Sequence, residues 1–361
     1  MQTGHDIIER YIHSRSQNYI KNTRFYWQKF LQRMNLDDSI LQQDKKIVQT
    51  ALDNYISYLL ENNAPSIRPQ FSAVKFVFED TDLEINWRKI MKRIPKPQEH
   101  SGGETWSDED LRKILTNCNN ERDRALLIFC ISTGCRIGVF DALKLEDVID
   151  YSKGCKRVRI ILQKGRTGKQ TVFLTPEASR YFDEYIQWRK KRGDPCNDSG
   201  PAFAHETNPF GNLGKAGIYK ILYRIEGPLT GTKKIKLKPH SRGHYNIQVT
   251  HGFRKWHDTK CKSVDGMNPY LFEKMFSHTP RGIPLDATYH KPTDEMLFKE
   301  FLKYIPHLTL DQTEALTLKN KRVEDFESKF KKLEKQVQDL QFESRYWQNE
   351  TISLEQEYEK Q

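Results

Sequence analysis

The feature that most constrains the fold lies at the end of this 361-residue chain. Val323, Phe326, Phe330, Leu333, Val337, Leu340, Ser344, Trp347, Thr351, Leu354 and Tyr358 follow one another at alternating steps of three and four. A helix brings such positions onto one line, and a 3.5-residue repeat held this long predicts a coiled-coil seam, weakest at Ser344 and Thr351. The alternative is a long amphipathic helix packed back on the body. In either case residues 313–361 are expected to be one helix and not a further globular domain.

What precedes it is long enough for two cores. "PKPQEHSGGETWS" (95–107) is rich in Pro, Gly and Ser and has no periodicity, so residues 97–106 are read as a linker between a domain over 1–96 and another over 107–312. The first domain reads as helical throughout. Ile8, Tyr11, Ile12, Tyr19, Tyr26, Phe30 and Leu31 fall near helical spacing, and Val48, Leu52, Ile56, Leu59 and Leu60 mark a second amphipathic helix. In the second domain Ser107 with Asp110 forms a capping-box pattern that opens a helix. "ERDRALLIFCISTGCRIGVFDALKLEDV" predicts a buried helix, a glycine turn and a second helix. "CKRVRIILQKGRTGKQTVFLT" is the one strong strand pair: Val158, Ile160 and Leu162 alternate with bases, and Val172 and Leu174 return the chain. From "TPEASRYFDEYIQWRKKRG" (175–193) onward helices dominate again, with a Gly-, Pro- and Asn-rich loop near 193–215. The expected class is mainly α with a small β-hairpin.

Charge points to a partner. The chain carries 59 Lys+Arg against 48 Asp+Glu, a net +11. Residues 1–103 hold 15 bases and 12 acids, residues 104–310 hold 35 and 24, and residues 311–361 hold 9 and 12. The middle segment therefore matches the whole excess by itself, which implies a polyanion bound there. No stretch approaches the roughly 18 apolar residues of a membrane span, so no membrane partner is expected. Six cysteines without a CxxC pair or metal-ligand spacing read as reduced thiols of a cytosolic protein, with neither a metal nor a cofactor implied.

"HGFRKWHDTK" (251–260) sets His251 three positions before Arg254 among aromatics and bases. Alone it is one face of a basic helix. The chain offers, in order, Arg136 after a Thr-Gly turn, Lys164 in the hairpin, His251, Arg254, His278 and Tyr289. Over about residues 104–310 this series resembles the tyrosine recombinase (phage-integrase) family, whose signature is an arginine in T-G-x-R, a hairpin lysine, H-x-x-R, a second His or Trp, and a tyrosine about ten residues on. "YHKPTDEMLFKEFLKYIPHLTL" is similar to the archaeal branch of these integrases.

The resemblance implies a helical core-binding domain and a catalytic domain that clamp duplex DNA at specific recombination sites. It also implies a tetramer on paired sites, which the tail would help to assemble. Tyr289 would attack the scissile phosphate, Arg136 and Arg254 would hold its oxygens, and Lys164 would protonate the leaving 5′-oxygen. His251 would take the tyrosine proton, and His278 would donate to a phosphate oxygen. No metal enters that scheme. Each residue also has a plainer reading: Arg136 as a cap of the preceding helix, His278 as a structural histidine, Tyr289 as one of sixteen tyrosines. Lys169 competes with Lys164, and His240 and His244 lie near His251. Met275-Phe276-Ser277-His278 lacks the family's glycine, and Tyr289 follows His278 by eleven residues with Pro280, Gly282 and Pro284 between. A type IB topoisomerase, or a non-catalytic DNA-binding protein on the same fold, are the alternative readings.

Overall fold

A computed structural model describes residues 3–62, 67–95, 104–161, 169–207, 210–230, 247, 249–276 and 291–358. The described residues fall into two compact units, 3–95 and 104–358.

The first unit is built of α1 (Gly4–Arg10), α2 (Gln17–Met34), α3 (Lys45–Glu61), α4 (Ile67–Phe78) and α5 (Trp87–Met91). The periodicity over residues 6–34 predicts unbroken helix, yet the helix breaks between α1 and α2. The Ser16 side chain accepts the Tyr19 N–H at 3.2 Å and so starts α2 afresh. The Tyr11 hydroxyl donates to Asp80 at 2.5 Å, which turns that part of the chain toward the end of α4. Trp27, Phe30, Tyr55, Phe71 and Phe78 fill the core. One Asp38 oxygen accepts both the Trp27 indole N–H (2.9 Å) and the Gly4 N–H (2.8 Å). A side chain on Gly4 would run into that indole.

The second unit opens with α6 (Asp108–Thr116), where Ser107 and Asp110 make the expected capping box. Then come α7 (Glu121–Thr133), β1 (Val148–Asp150), β2 (Lys156–Ile161), β3 (Lys169–Leu174), α8 (Pro176–Lys191) and α9 (Gly214–Thr230). It closes with α10 (Val249–Lys262), α11 (Pro269–Met275), α12 (Asp294–Phe301), α13 (Ile305–Leu308) and α14 (Gln312–Tyr358). The antiparallel sheet has the order β1-β2-β3, with Val158 opposite both Val148 and Val172. α7 is the central element. Every residue from Ala125 to Thr133 is buried, and α8, α9, α10 and β3 pack around it.

Three expectations change. Trp106, placed in the linker, is buried in this unit's core and stacks on Phe253 with centroids 6.2 Å apart, because so large an apolar ring is stable only out of water. The second helix after Gly134 is replaced by two short 3₁₀ turns, Ile137–Asp141 and Leu145–Asp147. Pairing with a distant loop takes their backbone groups: Leu145 N–H donates to Gly200 O at 2.9 Å and Ala202 N–H to Leu143 O at 3.0 Å. The same stretch ends as the third strand β1, which widens the hairpin into a sheet. All six cysteines are free.

The tail is a single helix of 47 residues, roughly 70 Å long at 1.5 Å per residue. Its seam residues from Val323 to Leu340 are exposed.

Candidate active site

α7 ends because Gly134 adopts φ +55°, a left-handed conformation that most side chains avoid, and its N–H closes on Cys130 O at 2.9 Å. A side chain at Gly134 would also strike His257 and Phe276. Two residues on, Arg136 is extended (φ −76°, ψ 142°) at the start of a 3₁₀ turn, with its side chain exposed. The turn thus lifts Arg136 out of the core that α7 builds.

α10 supplies the other two described residues. His251 and Arg254 lie three apart on one face; the imidazole is exposed and the guanidinium is buried. Arg254 donates at 2.5 Å to Gly134 O, at the end of α7, and at 2.5 Å to Phe276 O, just beyond α11. Its guanidinium lies over the Phe276 ring, 3.6 Å from the centroid. These bonds hold the planar fork in one orientation between two helix ends. Gln170 on β3 donates its side-chain amide to Met275 O, so the strand leaving the hairpin is tied to the same corner.

The three groups share one electrostatic environment. Burial, and then the charge of Arg136, lower the Arg254 pKa to about 10, which leaves it cationic at neutral pH. His251 is pushed below its ordinary value of 6.5 by partial desolvation first, then by Arg254, Lys255 and Arg136. A neutral imidazole beside two guanidinium groups can accept a proton, while the guanidinium groups attract and orient an oxyanion.

The sequence reading missed His257. It is buried one turn beyond Arg254, with Nδ1 2.9 Å from Ile131 O and its ring stacked on Phe276, centroids 5.6 Å apart. Burial lowers its pKa to about 4, so the ring is neutral and Nδ1–H donates to the carbonyl. It is the floor on which Gly134 and Phe276 meet. The signal for it was the i, i+3 spacing from Arg254 on one helix face. Tyr304 is a structural tyrosine: buried, it donates to Glu300 at 2.8 Å, and burial and that carboxylate raise its pKa. Lys164, His278 and Tyr289 lie outside the described residues, as do His240 and His244. Lys169 is the first residue of β3.

No family model matches the chain. The tyrosine recombinase XerC-like protein of Caldanaerobacter subterraneus subsp. tengcongensis is 28% identical over 177 residues, covering 44% of this chain and 41% of that one. The chain thus spans well under half the length of this curated relative. Among solved structures, the Tn1549 transposon integrase in complex with transposon right end DNA matches with a TM-score of 0.53 at 13% identity, over 83% of this chain and 98% of that one. A lambda integrase dimer bound to a COC′ core site matches with a TM-score of 0.50 at 12% identity, over 80% and 98%. These two structures share the fold of this chain: mainly helical, with a small sheet.

Proposed function

We propose that the chain is a member of the tyrosine recombinase (phage-integrase) family and, on that premise, a site-specific DNA recombinase. It cleaves and rejoins strands through a 3′-phosphotyrosyl intermediate, acting on DNA in the cytoplasm. The observation that carries the reading is that the charge of exposed Arg136 acts on both His251 and Arg254, with buried Arg254 pinned by two carbonyls and His251 held neutral.

In the proposed mechanism the Tyr289 oxygen attacks the scissile phosphorus and its proton passes to His251. The P–O5′ bond breaks, and Lys164 gives a proton to the leaving 5′-oxygen. Arg136 and Arg254 hold the non-bridging oxygens, with His278 as a further donor. Two guanidinium forks stabilise the charge that builds at pentacoordinate phosphorus, and losing one such donor costs about 3–4 kcal/mol in the transition state. Water is not the nucleophile, so the phosphotyrosyl bond keeps the linkage ready for religation when a 5′-hydroxyl returns. Exchange between two duplexes needs two sites cut together, so the working form is a tetramer on paired sites. The basic middle segment, 35 bases to 24 acids, is the surface proposed to meet the duplex, and its affinity falls steeply with salt.

The test is covalent capture. The full chain is incubated in EDTA with nicked suicide DNA bearing candidate sites, and protein–DNA adducts are resolved under denaturing conditions. An adduct is expected from the parent and none from Tyr289→Phe. An adduct that survives Tyr289→Phe displaces Tyr289 as nucleophile. Tight binding with no adduct on any substrate supports instead a DNA-binding protein without catalysis.

A further inference from the structure

Among the described residues, the first half of the tail carries a run of exposed apolar side chains. Leu316, Val323, Phe326, Phe330, Leu333, Val337 and Leu340 are each 47–69% exposed, on a helix whose root is fixed to the second unit. That root is held firmly. The buried Glu177 carboxylate accepts the N–H groups of Leu310 (2.8 Å) and Asp311 (3.1 Å), Arg180 pairs with Glu314 at 3.6 Å, and Leu318 packs on the core. Beyond it the seam leaves the body. Val323, Phe326 and Phe330 form one wall of an apolar groove of about 680 Å³ whose other wall is Pro306 and His307. So contiguous a patch on a monomer marks an interaction surface.

We propose that this face pairs, parallel and in register, with the same face of a second copy of the chain, whose helix enters that groove. The seam selects this occupant. With Val323 at a, the core positions read Val and Phe at a (Val323, Phe330, Val337) and Phe and Leu at d (Phe326, Leu333, Leu340). β-Branched a with Leu d is the pattern of two parallel strands. The flanking charges select the direction. In parallel pairing each g residue faces the e residue five positions on in the partner. Here g is Arg322 and Lys329, and e is Glu327 and Glu334, so each pair attracts. Antiparallel pairing over the same stretch sets e against e and g against g, placing Glu327 by Glu334, which repel, and Lys329 by the neutral Gln336. Because the roots are fixed, parallel tails hold two second units at the same end of the coil. Each catalytic corner then has its neighbour at high local concentration before DNA is bound. This pairing is independent of the chemistry assigned to Tyr289.

The test is sedimentation velocity of the full chain without DNA over a concentration series. A dimer is expected, and Phe330→Glu is expected to sediment as a monomer. Lys329→Glu, which turns both g–e pairs at that level repulsive, is expected to weaken the dimer about tenfold. Adding Glu334→Lys to it restores attraction in the parallel arrangement, whereas in an antiparallel pair Lys329→Glu alone weakens nothing, because it faces Gln336. A parent that stays monomeric at tens of micromolar overturns the proposal, as does a dimer that Phe330→Glu leaves intact. A charge swap that fails to restore the dimer overturns the parallel register. Phe330→Glu is also assayed for the single-site covalent adduct, which it is expected to retain. Loss of the adduct in the parent counts against the recombinase reading and leaves the pairing standing.

Discussion

α7 and α14 are both helices rich in apolar residues, and they lead opposite lives. α7 runs Ala125-Leu126-Leu127-Ile128-Phe129-Cys130-Ile131 with no polar face, and all of it is buried. From Val323 to Leu340 α14 carries its apolar residues on one stripe at steps of three and four, and that stripe is exposed. An apolar run without a face demands neighbours on every side, which only the chain's own fold supplies. A stripe with a strict 3.5 repeat demands one neighbour of the same shape. The pattern of apolar residues, more than their number, says where the partner comes from.

The sharpest attack on the buried side of the comparison is Phe129→Ala. Phe129 meets the rings of Phe140, Phe182 and Phe203, with centroids 5.4–6.4 Å away. Truncation in so enclosed a place is expected to lower stability by about 3–5 kcal/mol, read from urea unfolding. A loss under about 1 kcal/mol would mean that α7 is not the centre of this unit.

Next is Arg254→Lys, at the point where α7 hands over to the site. An ammonium cannot bridge Gly134 O and Phe276 O while presenting a planar fork to a phosphate. Single-turnover cleavage is expected to fall by about 10²–10³, and the carbonyl left without its partner to cost a smaller loss of stability, about 1 kcal/mol. An equal loss of stability and activity would recast Arg254 as a structural residue.

The same contrast explains what could be read without coordinates. The Ser107–Asp110 cap, the Val158–Val172 strand pair and the tail helix were legible, because each depends on residues near in sequence. The stretch 137–147 was not: its spacing reads as helix, but Gly200 and Ala202 claim its backbone groups from more than fifty residues away. Trp106 looked like linker for the same reason, since Phe253 is what buries it. At the site, Arg136, His251 and Arg254 were visible as residue types in order. The neutral state of His251 and the bracing by His257 follow from burial and from charges that three separate elements bring together.

A subtler probe of the buried helix is Glu226 on α9, whose charge reaches Cys130 of α7. Its carboxyl is buried with Oε1 lacking a hydrogen-bond partner, and burial raises its pKa to about 9 from an ordinary 4.5. The folded state therefore holds a proton that the unfolded chain has released. The linked stability is fully present below pH 4.5 and is lost as pH rises toward 9. Glu226→Gln is expected to be more stable than the parent by a few kcal/mol at pH 8.5, about 2 as an order of magnitude, with the gap closing toward pH 5. Parallel pH profiles for the two proteins would place the carboxylate in water after all.

The smallest expected effect tests the exposed side. Phe326 is as large and apolar as Phe129, yet it lies on a stripe that the chain leaves uncovered. If its partner is another copy, Phe326→Ser should change the unfolding free energy by no more than about 0.5 kcal/mol at sub-micromolar concentration, where copies are apart. At tens of micromolar the parent should gain stability by mass action and the variant should not. A cost of several kcal/mol at high dilution would mean that the seam packs on its own body in solution, and the difference between α7 and α14 would then be one of timing and not of partner. The dilution series separates the two, because only an intermolecular contact weakens as the chains are spread apart.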